Sequence, residues 1–221
     1  MTAFRFMIAD DHPLFRSALG EAVRSIHQDA IVEEAGDLDS ALHLLDREQQ
    51  IELVFLDLKM PGAHGFSGLI FLRGQYPETP IVIVSGIDDI ATMRQAIRFG
   101  ASGFIPKSLT PAEIANAIKR VLEGETWLPA SARTNAITVD GDSYQLADRI
   151  ALLSAQQFKV LALIAEGLLN KQIAYQLNLS ISTVKAHTTG ILKKLGLQRR
   201  TQILAAARIA HLDSYRIGLV R

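Results

Sequence analysis

The stretch LVFLDLKMPG, residues 53–62, decides the fold of the N-terminal half of this 221-residue chain. It begins with four apolar residues that are branched or aromatic, and the acidic residue Asp57 ends the run. A short apolar run that is followed by turn residues such as Pro61 and Gly62 is typical of a strand buried inside a sheet. The stretch therefore predicts a central strand with a carboxylate at its carboxyl end.

Similar apolar runs lie on both sides of this stretch, and segments with helical periodicity separate them. The predicted strands are 6–9, 31–35, 53–56, 81–84 and 103–105, and the predicted helices are 14–26, 38–49, 66–75, 90–99 and 111–123. Strand and helix alternate five times, which predicts an α/β fold, a doubly wound five-stranded parallel sheet of the flavodoxin-like kind.

The C-terminal half has a different pattern. After residue 153 the periodicity is helical, which predicts an all-α domain with helices 155–166, 171–177, 182–195 and 200–210. Between the halves, Pro129 and the pair Asp140-Gly141 indicate a linker, and residues 137–144 favour a small hairpin around that pair. We divide the chain into a domain at 1–124, a linker at 125–149 and a helix-turn-helix domain at 150–221.

The zero net charge of the chain conceals an asymmetry between the halves. Residues 1–124 carry six more acidic than basic residues, and residues 125–221 carry six more basic than acidic ones. A basic half suggests a polyanionic partner for that half only. Because there is no cysteine, disulfides, thiolate zinc sites and cysteine nucleophiles are excluded. No apolar run approaches the length of a membrane span, so we expect a cytoplasmic protein without a membrane partner.

Acidic residues follow two of the predicted strands. Asp10 and Asp11 follow the first strand and Asp57 ends the third, so three carboxylates should converge at one sheet edge. Their mutual repulsion is costly without a cation, and a small set of hard oxygen ligands favours Mg²⁺. The alternative is that Asp10 and Asp11 only cap the helix that begins at Pro13.

Two further polar residues share this edge. Ser85 ends the fourth predicted strand and Lys107 follows the fifth, which places a hydroxyl donor and a cation beside the same pocket. Together with a metal ion they can hold three phosphoryl oxygens. Each residue taken alone would more often be a turn serine or a solvated lysine.

In the basic half, Ser154 and Gln157 predict a capping box, and the helix that starts near Ser182 has two different faces. Its outer face combines small, hydroxyl-bearing and cationic residues, which is what a helix needs to read DNA bases and bind phosphates. A solvated surface helix would look similar. The outer-face residues are Lys185, Ala186, Thr189 and Lys193.

These motifs carry a resemblance to a known family. Asp10-Asp11, residues 56–62, Ser85-Gly86 and residues 100–107 resemble the receiver domain of response regulators. The resemblance implies that Asp57 accepts a phosphoryl group from a sensor histidine kinase and that Ser85 and Lys107 contact that group. It also implies that Phe104 repacks with Ser85 on activation. The implied Mg²⁺ ligands are Asp10, Asp11, Asp57 and the backbone carbonyl of Lys59.

The second half resembles the LuxR-type DNA-binding domain through residues 153–154, 165–167, 170–174, 182–187 and 191–196. The combination is similar to the NarL/FixJ family, which implies a non-enzymatic transcriptional regulator that binds double-stranded promoter DNA as a homodimer when phosphorylated. Position 157 departs from the pattern, because Gln replaces the usual acid. The implied base contacts are Lys185, Ala186 and Thr189, and the implied phosphate contacts are Lys171, Lys193 and Lys194.

Three alternatives remain at this level. An aspartyl-phosphate phosphatase of the haloacid dehalogenase type expects its nucleophile and acid two residues apart after the first strand, and Asp10-Asp11-His12 does not supply them. In a protein-interaction module the first half would bind a partner protein and the basic half would not read DNA; the LuxR-type pattern disfavours this, and DNA binding with a salt-dependent affinity distinguishes it. A receiver locked by a partner or a dimer would need no phosphate, and the complete phosphate-site set disfavours it: Asp11, Asp57, Ser85 and Lys107.

Overall fold

The computed structural model describes residues 4–47, 50–133 and 141–209. The described residues divide into two compact units. Those within 4–63 and 76–133 form the first unit, and those within 64–75 and 141–209 form the second.

A five-stranded parallel sheet forms the centre of the first unit, in the order β2-β1-β3-β6-β7. Every residue of β3 is buried, as an apolar run between two neighbouring strands requires. The predicted α/β fold is therefore confirmed. The strands are β1 (Arg5–Ala9), β2 (Ile31–Ala35), β3 (Leu53–Asp57), β6 (Ile81–Ser85) and β7 (Gly103–Pro106), with two short strands, β4 (Lys59–Met60) and β5 (Ala63–His64).

Helices surround this sheet, and α1 and α5 pack against each other beside its core. Pro13 starts α1, and Thr110 and Glu113 form a capping box at the start of α5. These local signals fix where each helix begins relative to the strand before it. The helices of this unit are α1 (Pro13–Ile26), α2 (Leu38–Arg47), α4 (Ile90–Arg98), α5 (Pro111–Leu122) and α6 (Ala130–Arg133).

The described part of the second unit is helical. Helix α3 packs against α7, and the rings of Phe71 and Phe158 stack with their centroids 4.4 Å apart. Helix α8 packs against α10 and α11, and its predicted capping box at Ser154 is present. The helices are α3 (Ser67–Gln75), α7 (Gly141–Ala151), α8 (Ala155–Ala165), α9 (Asn170–Gln176), α10 (Ile181–Leu195) and α11 (Arg200–Ile209).

The segment between the predicted domains differs from expectation. The hairpin predicted for residues 137–144 is wrong from Gly141 onward, because Gly141 begins helix α7; residues 137–140 lie outside the described part. The turn pair misled the prediction because packing of α7 against α3 and α10 outweighs the local turn preference. The domain boundaries at 124/125 and 149/150 stay predictions.

Candidate functional site

Asp57 lies at the carboxyl end of β3, and the residue is 2% exposed. One carboxylate oxygen, Oδ2, lies 2.9 Å from Nζ of Lys107, and the other, Oδ1, accepts a hydrogen bond from the Lys59 backbone N–H at 3.2 Å. Burial raises the pKa of the Asp57 carboxyl, and nearby Asp10 adds to that rise, while Lys107 and the Lys59 N–H act in the opposite sense. Asp57 is thus a buried carboxylate with a cation directly beside it.

Asp10 and Asp11 follow β1, the strand next to β3. The Asp10 carboxylate is buried; its Oδ2 lies 2.6 Å from Nζ of Lys107, and its Oδ1 accepts a hydrogen bond from the His12 N–H at 2.8 Å. Asp11 is more exposed and lies 2.6 Å from Nδ1 of His12. The N-cap residue of α1 is His12, whose side chain makes no capping hydrogen bond, so the alternative that Asp10 and Asp11 only cap this helix is wrong.

These carboxylates form one cluster with His12. Asp10, Asp11, His12 and Asp57 each offer a ligand atom, and the four atoms lie within 4.8 Å of one another. The predicted convergence of the three carboxylates is therefore present in the structure. An acidic pocket of this kind is compatible with Mg²⁺, which prefers carboxylate oxygens and water as ligands.

Lys107 lies between the two buried carboxylates. Burial lowers the pKa of its ammonium, but the hydrogen bonds and charges of Asp10 and Asp57 outweigh that effect and hold the pKa above its usual value. Its Nζ also lies 5.0 Å from the ring centroid of Phe15. Because the Lys107 N–H donates to the Ser85 carbonyl at 2.8 Å, the ends of β6 and β7 are joined beside the cluster.

Ser85 and Phe104 are fully buried residues of β6 and β7. Ser85 Oγ accepts a hydrogen bond from the Ile87 N–H at 3.2 Å, and Asp57 is paired in register with Val84, the residue before Ser85. The Phe104 N–H donates to the Trp127 carbonyl at 3.0 Å. Ser85 thus lies at the sheet edge where Asp57 ends β3. The main chain of Phe104 is bonded to Trp127, in the segment that follows α5.

Sequence reasoning missed several residues that contact this site. Phe15 and Arg16 lie on the first turns of α1, and the Arg16 guanidinium donates to the Asp10 carbonyl. Trp127 falls in the predicted linker, yet its main chain bonds to both Ser102 and Phe104 at the edge of the sheet. The positions of Phe15 and Arg16, three and four residues after His12, were the available signal.

The second candidate surface is the outer face of α10. Val184, Thr188, Ile191 and Leu195 are buried, so α10 has two different faces as predicted. The predicted contact residues Lys171, Lys185, Ala186, Thr189, Lys193 and Lys194 are all exposed.

Several bonds fix the ends of α10. The Ser180 hydroxyl accepts a hydrogen bond from the Thr183 N–H at 3.0 Å at its start, and Gly196 ends it in the left-handed conformation with φ of 71°. Arg149 of α7 donates to the Leu195 carbonyl at 2.8 Å. A cation at a helix carboxyl end is stabilising, so α7 supports the orientation of α10.

Lys194 differs from the other cations of this surface. Its Nζ donates to the Leu152 carbonyl and to Oε1 of Gln157, both at 2.8 Å. Two of its three N–H donors are therefore used inside the unit. The glutamine at position 157 leaves the positive charge of Lys194 uncompensated, whereas a glutamate there would neutralise it.

Two family models match the chain. The one described as "Response regulator receiver domain" matches residues 6–119, and the one described as "Bacterial regulatory proteins, luxR family" matches residues 151–207. The first covers the acidic cluster, and the second covers α9 and α10. Together they define the class of response regulators with a receiver and a DNA-binding domain.

Curated relatives match nearly the whole chain. A glycerol metabolism activator of Pseudomonas putida is 40% identical over 217 residues, which cover 96% of this chain and 98% of the relative. The oxygen regulatory protein NreC of Staphylococcus aureus is 31% identical over 211 residues, covering 92% and 96%. The chain therefore belongs to the NarL/FixJ family of response regulators, whose DNA binding is regulated by phosphorylation and whose receiver implies a histidine kinase partner.

Solved structures agree with this fold. The RcsB response regulator of Salmonella typhimurium has a TM-score of 0.55 and 23% identity, covering 94% of this chain and 99% of that one. A structure of two RcsB dimers bound to two parallel DNAs has a TM-score of 0.54 at the same identity and coverage.

In the described part of this chain, we find no helix with the length and apolarity needed to cross a membrane.

Proposed function

We propose that Asp57 accepts a phosphoryl group from a phosphohistidine of a sensor kinase and that α10 then binds promoter DNA. The observation that carries the proposal is the buried Asp57 carboxylate, 2.9 Å from Lys107 and within one cluster with Asp10 and Asp11. The product is an aspartyl phosphate on the chain itself, so we class the chain as a regulator and not an enzyme. Because promoter DNA is its proposed partner, we assign its work to the cytoplasm.

The chemistry is an in-line phosphoryl transfer. An Asp57 oxygen forms a bond to phosphorus while the phosphorus–nitrogen bond of phosphohistidine breaks, and the imidazole leaves with the electron pair. The main contribution of the protein is position, since the buried strand end holds the carboxylate in place within the cluster. Lys107 and the Ser85 hydroxyl are the groups that we assign to the phosphoryl oxygens.

The donor set of the cluster fits Mg²⁺. Asp10 Oδ2 is buried and lies 2.6 Å from the Lys107 ammonium, so its negative charge already faces a cation. Carboxylate oxygens that converge in one cluster are the ligands that a divalent ion of this kind prefers. When bound, Mg²⁺ would neutralise charge on the transferring group. We assign Asp10, Asp11, Asp57 and the backbone carbonyl of Lys59 as its protein ligands.

Phosphorylation is expected to change the pairing of Lys107. The phosphoryl group adds acceptor oxygens and roughly one further negative charge to Asp57, so Lys107 and Ser85 move toward it. Phe104 fills space in β7, the same strand that leads to Lys107, and we assign it as the aromatic residue that repacks. Since Ser85 leads into the loop before α4, that helix is expected to shift with it.

The only tryptophan of the chain reports this change. The Trp127 carbonyl accepts a hydrogen bond from the Phe104 N–H, and its side chain is largely buried in the core. We therefore expect beryllofluoride with Mg²⁺ to shift or quench the tryptophan emission of the wild type and to leave Asp57→Asn unchanged. A fully modified wild-type protein with an unchanged emission spectrum would contradict the assigned role of Phe104.

DNA recognition is assigned to the outer face of α10. Lys185 and Thr189 lie four residues apart, and the small side chain of Ala186 between them permits a close approach to base edges. Lys171, Lys193 and Lys194 are assigned to phosphates, with Lys194 contributing mainly through its charge because two of its donors are in use. RcsB binds DNA as dimers in the solved structure described above, and we propose a phosphorylated homodimer here too.

The first step can be tested by mass spectrometry. The full chain is incubated with acetyl phosphate and either Mg²⁺ or EDTA, and the modified peptide is then mapped. We expect one added phosphoryl group on Asp57 with Mg²⁺ and none with EDTA. Uptake that is equal in EDTA, or that maps to another residue, would contradict the proposal.

A further inference from the structure

Arg16 connects helix α1 to the ends of two strands. It lies on the first turn of α1, and its Nη1 donates to the Asp10 carbonyl oxygen at 2.6 Å. Its Nε donates to Oε2 of Glu34 in β2 at 2.8 Å. The Arg16 side chain is 17% exposed, so its contact with the Asp10 carbonyl is partly shielded from water, whereas its contact with Glu34 lies at the surface.

The consequence is that the main chain of Asp10 is held on both sides. Its N–H donates to the Ala35 carbonyl at 3.0 Å, continuing the pairing of β1 with β2 beyond the last strand residue. Its carbonyl accepts from Arg16, and this carbonyl belongs to the peptide group that joins Asp10 to Asp11. Arg16 therefore fixes the orientation of the peptide that links both acidic residues.

The role of Arg16 is geometric more than electrostatic. Its charge is paired with Glu34, and its contact in the site is a neutral carbonyl and not a carboxylate. A guanidinium can donate from Nε and Nη in two fixed directions at once, whereas a lysine ammonium on a flexible chain lacks this planar geometry. The pair of Arg16 and Glu34 is thus suited to hold the Asp10 carbonyl in one orientation.

We propose that Arg16, anchored by Glu34, is a positioning residue for the divalent-ion ligands Asp10 and Asp11. The inference rests on the proposed function, because it concerns the same cluster. Substituting a residue that orients metal ligands without touching the metal often lowers the metal affinity about tenfold. Arg16 acts through the Asp10–Asp11 peptide and touches neither the ion nor the phosphoryl group.

The test measures Mg²⁺ affinity of the full chain by calorimetry, with melting temperature as a second readout. We expect Arg16→Ala to weaken Mg²⁺ binding about tenfold and Arg16→Lys to restore little of it. The matched control is Arg5→Ala. Arg5 lies at the opposite end of β1 and pairs with Glu33 of β2 at 2.7 Å. Arg5→Ala should therefore keep the Mg²⁺ affinity of the wild type.

A second measurement separates positioning from catalysis. Raising Mg²⁺ to saturation should bring the rate of Asp57 phosphorylation by acetyl phosphate in Arg16→Lys close to that of the wild type. Equal Mg²⁺ affinities in wild type, Arg16→Lys and Arg16→Ala would overturn the inference, whatever the melting temperatures. A wild type that binds no Mg²⁺ would instead overturn the proposed function, and the inference with it.

Discussion

Asp57→Asn is expected to take up no phosphoryl group from acetyl phosphate or from a histidine kinase. Asparagine keeps the volume of the side chain but has no carboxylate oxygen to attack phosphorus, and Asp10, the other carboxylate beside Lys107, is assigned to the divalent ion. The expected effect is complete loss, measured by intact mass under conditions that fully modify the wild type. The control Asp46→Asn changes an exposed carboxylate of α2 and should be modified normally.

This variant should fold without a stability cost at neutral pH. Burial raises the folded-state pKa of Asp57 above its ordinary value, so the ionised carboxylate opposes folding once the pH exceeds that pKa. Replacing it with a neutral amide should leave the melting temperature at pH 7 equal to or above that of the wild type. The difference should shrink as the pH falls and the wild-type carboxyl takes up its proton.

Undiminished phosphorylation of Asp57→Asn would contradict the first expectation and move the acceptor to another residue.

Lys185→Ala is expected to weaken specific DNA binding by about 1–3 kcal/mol and to relax the base preference at one position. Lys185 is exposed on α10 one residue after the buried Val184, so its loss should not disturb the core. The measurement compares the affinity of both proteins for an oligonucleotide selected from random sequences and for single-base variants of it.

Two other lysines make the comparison sharper. Lys171→Ala, at a proposed phosphate contact, should weaken binding to all sequences alike and reduce the slope of log affinity against log salt by about one. Lys119→Ala removes an equal charge from α5 in the first unit and should change neither quantity. If Lys185→Ala behaves like Lys119→Ala, Lys185 does not read a base.

The features that could be predicted from sequence are those that depend on local pattern. The run 53–57 is apolar and ends in an acid, so it predicts both the buried strand and the position of Asp57 at the carboxyl end of that strand. Ser154 was recognisable as a helix start because a cap needs only a few neighbouring residues. Convergence of Asp10 with Asp57 followed from a general property of parallel sheets.

The features that escaped prediction depend on contacts between distant segments. Gly141 begins a helix because α7 packs against other helices, which the turn pair Asp140-Gly141 does not reveal. Trp127 lies 24 residues after Gly103, yet the two form a parallel bridge. The hydrogen bond from the Lys194 ammonium to the Leu152 carbonyl likewise joins residues far apart in the chain. Periodicity carries no information about such pairs.

The central claim is that phosphorylation of Asp57 controls DNA binding, and one titration tests it most directly. Affinity of the full chain for the selected oligonucleotide is measured by fluorescence anisotropy, with and without Mg²⁺ and beryllofluoride, for wild type and Asp57→Asn. Coupling between two sites in one protein is commonly worth about tenfold in affinity. We therefore expect binding to tighten about tenfold in the wild type alone. Equal affinities in all four conditions would contradict the claim.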